Sequence, residues 1–380
     1  MSQFEMRDIR MVDLERQYQR HKWEIDEAIK EVLESTAFIK GPAVGLFEKE
    51  LASYMQVKHC IGCANGTDAL QLAMMGLELK AGDEVITTPF TFIATIEVIS
   101  LLGLKPVLVD VEPGTFNLDP DKLEEKITDK TRAIVPVHLF GQAADMNHIL
   151  SIAKKHKLFV IEDNAQAIGA DYLLSDGTKK KAGALGTISC TSFFPSKNLG
   201  AYGDGGAVFT DDDLLAAKIR SMANHGMTKR YHYEHIGLNS RLDTLQAAIL
   251  RVKLRQLDDY NRRRREVADA YDRAFSHIPG LQVPERNPDS EHIFHQYTLR
   301  IKDGQRDHLK SFLEKKDIPS MIYYPVPLHM QTAYEVLKYS EGDFPVTEEL
   351  CTEVLSLPIH TEMDSDQLNH IIRTVTEFYR

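Results

Sequence analysis

The sequence predicts an α/β fold: a large unit built on a mostly parallel central sheet flanked by helices, followed by a smaller C-terminal α/β unit. Three observations carry this. Short apolar runs rich in Val, Ile, Phe and Thr recur along the first two-thirds of the chain, bounded by Gly, Pro or Asp. Amphipathic helical stretches separate them, the alternation expected of a sheet covered on both faces. From Asp243 onward the pattern changes to a long helical stretch and then shorter elements.

The elements follow in order. KHCIGCANG ends a strand, and TDALQLAMMGLEL reads as the helix after it. EVITTPF, KPVLVDV, AIVPVHLF, LFVIEDN and TISCTSFF are the next strands, with DPDKLEEKIT and MNHILSIAKKHK as helices between them. GGAVFT is one more strand, entered from a glycine-rich stretch. The segment from Asp243 through the Arg262–Arg265 run reads as one long helix or two in tandem, with the arginines forming a solvated face beside Glu266 and Asp269. With 380 residues the chain is long enough for two units, and we divide it near residue 255, into a large unit of 1–255 and a small one of 256–380.

Charge and cysteine usage narrow the function. A net charge of -11 argues against nucleic acid as the main partner. No run approaches the roughly 20 apolar residues of a membrane helix, and MSQFEMRDIRMVDLERQYQR is mixed and charged rather than a secretory signal. The expectation is a cytoplasmic protein with no membrane partner. Cys60 and Cys63 form a C-x-x-C, but Cys190 and Cys351 stand far apart from it, so neither a zinc site nor a disulfide framework is suggested. His232 and His235, with Glu234 between them, lie close together in RYHYEHIG, but spacing suggests no further ligand, and the segment is read as a loop.

In an open α/β sheet, ligands sit outside the carboxyl ends of the strands, so polar residues just past each apolar run are the candidates. Asp163 ends LFVIEDN and needs a cationic or hydrogen-bonding partner if buried, although an aspartate there also serves as a helix cap. Gln166 follows within reach of the same ligand. Lys197 lies in SFFPSKNLGAYGDGGAV, where Gly200, Gly203, Gly205 and Gly206 permit close backbone approach; by local pattern alone it is equally a turn lysine or a nucleophile. Asn65-Gly66-Thr67-Asp68 opens a helix and is either a plain cap or an anion site. Phe90 and Phe92, after EVITT, either pack in the core or stack on a planar ligand. A reactive lysine, an aspartate, an anion site and a stacking aromatic, all at strand ends, are together what a pyridoxal phosphate site requires.

The motifs CANGTDALQ, TPFTFIAT, VHLFGQAADM, VIEDNAQAIGA, SFFPSKNLGAYGDGGAV, NHG, GLNSRLDTLQAAIL and YYPVPLH resemble, in this order and over nearly the whole chain, the DegT/DnrJ/EryC1/StrS family of nucleotide-sugar aminotransferases. The resemblance implies the fold-type-I architecture of pyridoxal-phosphate transferases. It implies that Lys197 links covalently to the cofactor, Asp163 pairs with the ring nitrogen, Gln166 contacts the ring hydroxyl and Phe92 stacks on the ring. Gly66, Thr67 and Ser192 would contact the phosphate, and Asn239 would reach the phosphate of a neighbouring subunit in a homodimer with shared active sites. A lysine at 197, where the dehydratase relatives carry histidine, implies transamination from glutamate to a nucleotide-linked keto-sugar. The subgroup most resembled aminates the 3-keto position of a UDP-linked N-acetylated hexuronate, with Arg241, Tyr324 and His329 as substrate-binding residues and the His232–His235 loop near the sugar site. One departure is Tyr323, where that subgroup tends to have histidine; this leaves a neutral dTDP-linked 3-keto or 4-keto sugar open.

Overall fold

The computed structural model describes residues 7–380; the first six residues of the N-terminal stretch weighed above as a targeting signal lie outside them. Two helices, α1 (Leu14–Ser35) and α2 (Pro42–Met55), precede the sheet. Then follow β1 (His59–Cys63), α3 (Gly66–Gly76), β2 (Glu84–Thr87), α4 (Ala94–Leu101), β3 (Lys105–Leu108), β4 (Thr131–Ile134), α5 (Met146–His156) and β5 (Phe159–Asp163). A small hairpin of β6 (Asp171–Leu173) and β7 (Lys179–Lys181) leads to β8 (Ile188–Ser192), β9 (Gly206–Thr210) and α6 (Asp213–Met222). A second hairpin, β10 (Met227–Lys229) with β11 (His232–Tyr233), precedes α7 (Thr244–Leu254) and α8 (Leu257–Phe275). The chain ends with β12 (Leu281–Gln282), β13 (Tyr297–Ile301), α9 (Arg306–Glu314), α10 (Pro345–Glu353), β14 (Val354–Leu357) and α11 (Ser365–Phe378).

The central sheet has seven strands in the order β3-β2-β4-β5-β8-β9-β1. Only β9 runs against the others, pairing antiparallel with both β8 and β1. Parallel neighbours need long crossovers, which α4 and α5 supply; an antiparallel return does not. The β8–β9 connection therefore carries no helix and leaves residues 193–205 at the carboxyl edge of the sheet. Ser192 and Cys63 both pair with Gly206, which brings the ends of β8 and β1 to one level. Buried apolar side chains from α3, α6 and the strands pack one face, among them Leu72, Met74, Ile161 and Ile219. The other face closes on α5 with Ile86, Ile134 and Ile149.

The C-terminal part forms a three-stranded antiparallel sheet, β12-β13-β14, over a core that includes Tyr271, Phe294, Tyr297, Leu355 and Ile371. Ile9, from the start of the chain, packs into this core. The division placed near residue 255 falls at the junction of α7 and α8. One expected helix is different: the 119–128 stretch forms only short 3-10 turns at Pro120–Lys122 and Glu124–Lys126. Pro120 and Leu123 are its only buried residues, too few for the apolar stripe that would hold a longer helix against the sheet. No helix among the described residues is long and apolar enough to cross a membrane.

Candidate active site

A cavity of about 470 Å³ opens at the carboxyl ends of the strands. At one end lies the start of α3. Asn65 caps it by accepting the Asp68 N–H at 2.8 Å, while the Gly66 and Thr67 amides belong to the first turn, whose N–H groups have no helical partner. Gly66 is required here: a Cβ would stand 2.7 Å from the Ser192 Cβ and 3.3 Å from its Cα. Helix start and β8 end thus meet with no side chain between them, an arrangement suited to an anionic group.

Lys197 and Asp163 face this cavity from β8–β9 and β5. Burial lowers the Lys197 ammonium to about 8, with the Asp163 carboxylate pulling the other way. Asp163 is 6% exposed. Burial lifts its carboxyl above the usual range, opposed by the Thr95 hydroxyl, the Ala165 N–H, Lys197 and His138. Thr95 Oγ1 donates to Asp163 Oδ2 at 2.8 Å, and the Ala165 amide to Oδ1 at 3.2 Å. The residue before it, Glu162, serves the opposite face of the strand. It accepts the amides of Gly183, Leu185 and Gly186 at 2.6–2.7 Å. His138 Nδ1 accepts the Ala144 N–H, so its proton resides on Nε2, which donates to Glu162 at 2.8 Å. Alternation along one strand therefore separates a cavity-facing carboxylate from a structural one.

The Gln166 side chain is oriented by its neighbours: Oε1 accepts the Phe140 amide at 2.8 Å, and Nε2 donates to the Tyr324 hydroxyl at 3.3 Å. Burial pushes the Tyr324 phenol up, keeping it a neutral hydrogen-bonding group. Phe92 and Phe194 line the cavity while more than half exposed, whereas Phe90 is buried beneath it against Phe116, Phe140 and Tyr324. Of the two phenylalanines considered from sequence, Phe92 thus has the free face.

Not every expected residue meets the cavity. Asn239 and Arg241 lie outside its lining, on a segment fastened beside β1 by the Ala64 N–H to Ser240 Oγ bond. Asn239 is exposed; Arg241 Nη1 donates to Asn224 Oδ1 at 3.0 Å, and its Nε is enclosed without a partner. His329 is 2% exposed, packed on Phe344 and hydrogen-bonded to Glu348, and does not line the cavity. His232 and His235 belong to the β10–β11 hairpin region, and among the described residues no three or more His, Cys, Asp and Glu converge as a metal site. All four cysteines are free and buried.

Several lining residues were not singled out from sequence: Thr95, Phe140, His295 and Gln296. Thr95 lies at the end of the TPFTFIAT motif and was detectable as a hydroxyl at a helix start. His295 and Gln296 come from a segment far along the chain and are delivered only by tertiary packing. The Ile293 amide donates to Gly141 O and the Gln296 amide to Phe140 O. Gly141, at φ 107°, lets the backbones approach, since a Cβ there would lie 2.8 Å from the His295 nitrogen.

These residues fit pyridoxal phosphate on their own chemistry. There is an anion cradle that a Cβ would fill, an amine free of any hydrogen bond among the described residues, a buried carboxylate in the same cavity, and an open aromatic face. Comparisons with known proteins agree. The model of the DegT/DnrJ/EryC1/StrS aminotransferase family matches residues 19–376. A pleiotropic regulatory protein of Geobacillus stearothermophilus is 47% identical, over 98% of this chain and 99% of its own. The UDP-2-acetamido-2-deoxy-3-oxo-D-glucuronate aminotransferase of Pseudomonas aeruginosa is 44% identical, over 97% and 99%. The crystal structure of DesV from S. venezuelae superposes with a TM-score of 0.95 at 40% identity, covering 99% of both chains. With the strand-end site and these likenesses together, the chain belongs to the DegT/DnrJ/EryC1/StrS aminotransferase family and is a pyridoxal-phosphate-dependent sugar aminotransferase.

Proposed function

We propose that the protein transfers an amino group from glutamate to the 3-keto position of a UDP-linked N-acetylated hexuronate, in surface polysaccharide or lipopolysaccharide synthesis. The observation that carries the transfer chemistry is the Lys197 amine, lowered to about 8 and facing Asp163 across the cavity. Pyridoxal phosphate supplies the electron-accepting ring that stabilises charge left on the substrate carbon. Lys197 would hold it and, as a neutral amine, would move the proton at that carbon. Asp163, braced by Thr95, keeps the ring nitrogen protonated. Gln166 contacts the ring hydroxyl and Phe92 covers the ring face. Gly66, Thr67 and Ser192 bind the phosphate.

The substrate assignment is supported by the likeness to the Pseudomonas aeruginosa enzyme over nearly the full chain. In this reading Arg241 grips the sugar carboxylate as a bidentate partner and Tyr324 lines the sugar site, while His329, enclosed against Phe344 and Glu348 outside the cavity lining, is no longer assigned to the substrate. Asn239 and Arg241 act in a partner's cavity, which calls for a homodimer. The exposed side chains of Tyr231, Tyr233 and Ile236 near this segment are suited to such a contact. A neutral dTDP-linked 3-keto or 4-keto sugar is the second reading, favoured by Tyr323, whose phenol has no positive charge to offer a carboxylate. A purely regulatory role, suggested by the name of the Geobacillus relative, is disfavoured by the intact Lys197 and Asp163.

The test is an amino-transfer assay from glutamate to UDP- and dTDP-linked 3-keto and 4-keto sugars. The uronate is expected to be the preferred acceptor, and Arg241→Ala is expected to lose it selectively. Equal losses on neutral sugars refute a carboxylate clamp. A protein that stays colourless with added cofactor, with no borohydride-reducible band dependent on Lys197, refutes the chemistry.

A further inference from the structure

His295 and Asp204 are ionisable groups of the cavity lining that the chemistry above leaves without a task, and His295 is the one enclosed beside Lys197. It is 6% exposed and lines the cavity together with Lys197 and Tyr324. Its Nδ1 is enclosed and has no hydrogen-bond partner. An enclosed N–H without an acceptor is rarer and costlier than an enclosed lone pair, so the ring proton belongs on Nε2. The other ring nitrogen is the one left to face the cavity, and it presents a donor.

Asp163 and Asp204 also line the cavity, but the charges that act on the His295 ring are those of Lys197 and Arg264. Behind it, Arg264 is 2% exposed and spends its Nη1 on the carbonyls of Phe294, His295 and Ile359 at 3.0–3.2 Å. Among the described residues no carboxylate pairs with Arg264. Burial, then Lys197, then Arg264 hold the His295 imidazole well below its ordinary range, and no acidic group offsets them. The ring thus sits in positive potential as a neutral donor, beside the amine that does the chemistry. An anionic oxygen acceptor of small size is the group that such a corner takes. In an α-amino acid the carboxylate is one bond from the carbon that reacts, which places it beside Lys197 whenever that carbon is.

We infer that His295 Nε2–H binds the α-carboxylate of the amino-acid donor, with the buried Arg264 guanidinium supplying the positive field behind it. This rests on the aminotransferase reading of the same cavity. It makes His295 a residue that recognises the donor and not the sugar, so the two half-reactions separate in their dependence on it.

The experiment measures binding of maleate, a non-reacting dicarboxylate, to the holoenzyme by calorimetry, for wild type, His295→Phe and His295→Gln. Phenylalanine keeps the ring volume without a donor, and glutamine returns an N–H near the Nε2 position. Loss of a hydrogen bond to a charged group weakens maleate roughly 10- to 100-fold in His295→Phe, and His295→Gln recovers most of it. Binding of a UDP-linked N-acetylated hexuronate is expected to stay within about twofold of wild type, on the same single-bond reasoning. Maleate affinity unchanged in His295→Phe overturns the inference. So does an equal loss in both variants, which marks a packing role, or a loss confined to the nucleotide-linked uronate, which moves the carboxylate to the sugar. Wild-type holoenzyme that carries the borohydride-reducible band yet binds no maleate overturns it too, while leaving the aminotransferase reading intact.

Discussion

Replacing Glu162 with alanine removes the acceptor for two buried donors, the Gly183 amide and the His138 Nε2–H, and for the part-buried Leu185 and Gly186 amides. Glu162 and His138 are both fully buried, so water does not readily replace the lost oxygens. Leaving a buried donor unsatisfied costs about 1–3 kcal/mol. At about 1 kcal/mol for each of the two buried donors, the variant loses at least about 2 kcal/mol, against roughly 5–15 kcal/mol for a whole native domain. For a chain of this size, that lowers the apparent melting temperature by at least about 2 °C. Glu162→Gln keeps one acceptor oxygen but turns an NH₂ toward the amides, and should fall between. The 183–186 turn feeds β8, whose end carries Ser192 and the Lys197 loop. Cofactor affinity is therefore expected to fall along with stability. Thermal melting of the three proteins with and without pyridoxal phosphate checks this. A Glu162→Ala protein melting within about 1 °C of wild type refutes the reasoning, because two orphaned buried donors would then be free of cost.

Three further outcomes are expected. Gly66→Ala pushes a Cβ to 2.7 Å from Ser192 Cβ; overpacking of about 1–3 kcal/mol is expected to raise the cofactor Kd at least about fivefold, and an absorbance titration that shows no change counts against the cradle. The neutral fraction of Lys197 governs its capture of pyridoxal phosphate; with the amine lowered to about 8, the reconstitution rate should rise with pH to a plateau with midpoint near 8, and a midpoint above about 10, the ordinary lysine value, would contradict the site. Lys253 is 1% exposed, donates to the Gly200 carbonyl of the Lys197 loop and lies over the Tyr202 ring at 5.2 Å; burial, then Arg264, lowers it to about 7. Between about pH 7 and pH 10 the unfolded chain binds this proton and the native one does not, so its contribution to stability rises with pH, on the order of 3–5 kcal/mol in all. Lys197 adds a rise of its own in both proteins, so denaturation of wild type and Lys253→Met across that window should show the steeper rise in wild type, and parallel curves would disprove it.

How much of this was legible beforehand differs from residue to residue. The seven strands of the main sheet announce themselves as apolar runs, because a strand buried on both faces needs little but Val, Ile and their like. The 119–128 stretch was misread as helix because its charge pattern is helical while its single buried leucine is not enough to hold one. Asp163, Gly66 and Lys197 stood out because each breaks a local rule at a strand end. Thr95 was in plain view in a motif but has no anomaly of its own; only its bond to Asp163 reveals its use.

By itself the sequence determined which residue types stand at the carboxyl ends of the strands, Lys197, Asp163 and the Gly66–Thr67 turn among them. These are local facts, set by backbone direction and by what a strand can bury. Tertiary structure alone decided that His295 and Gln296 join the cavity, that Arg264 and Lys253 lie buried without a carboxylate, and that His329 turns inward to Glu348 while Arg241 stays outside the lining. Each of those depends on contacts between segments far apart in the chain, and on the burial they create. Lys197 is the clearest case: its lysine side chain is written in the sequence, but its lowered proton affinity comes from the protein packed around it, partly offset by the nearby carboxylate of Asp163.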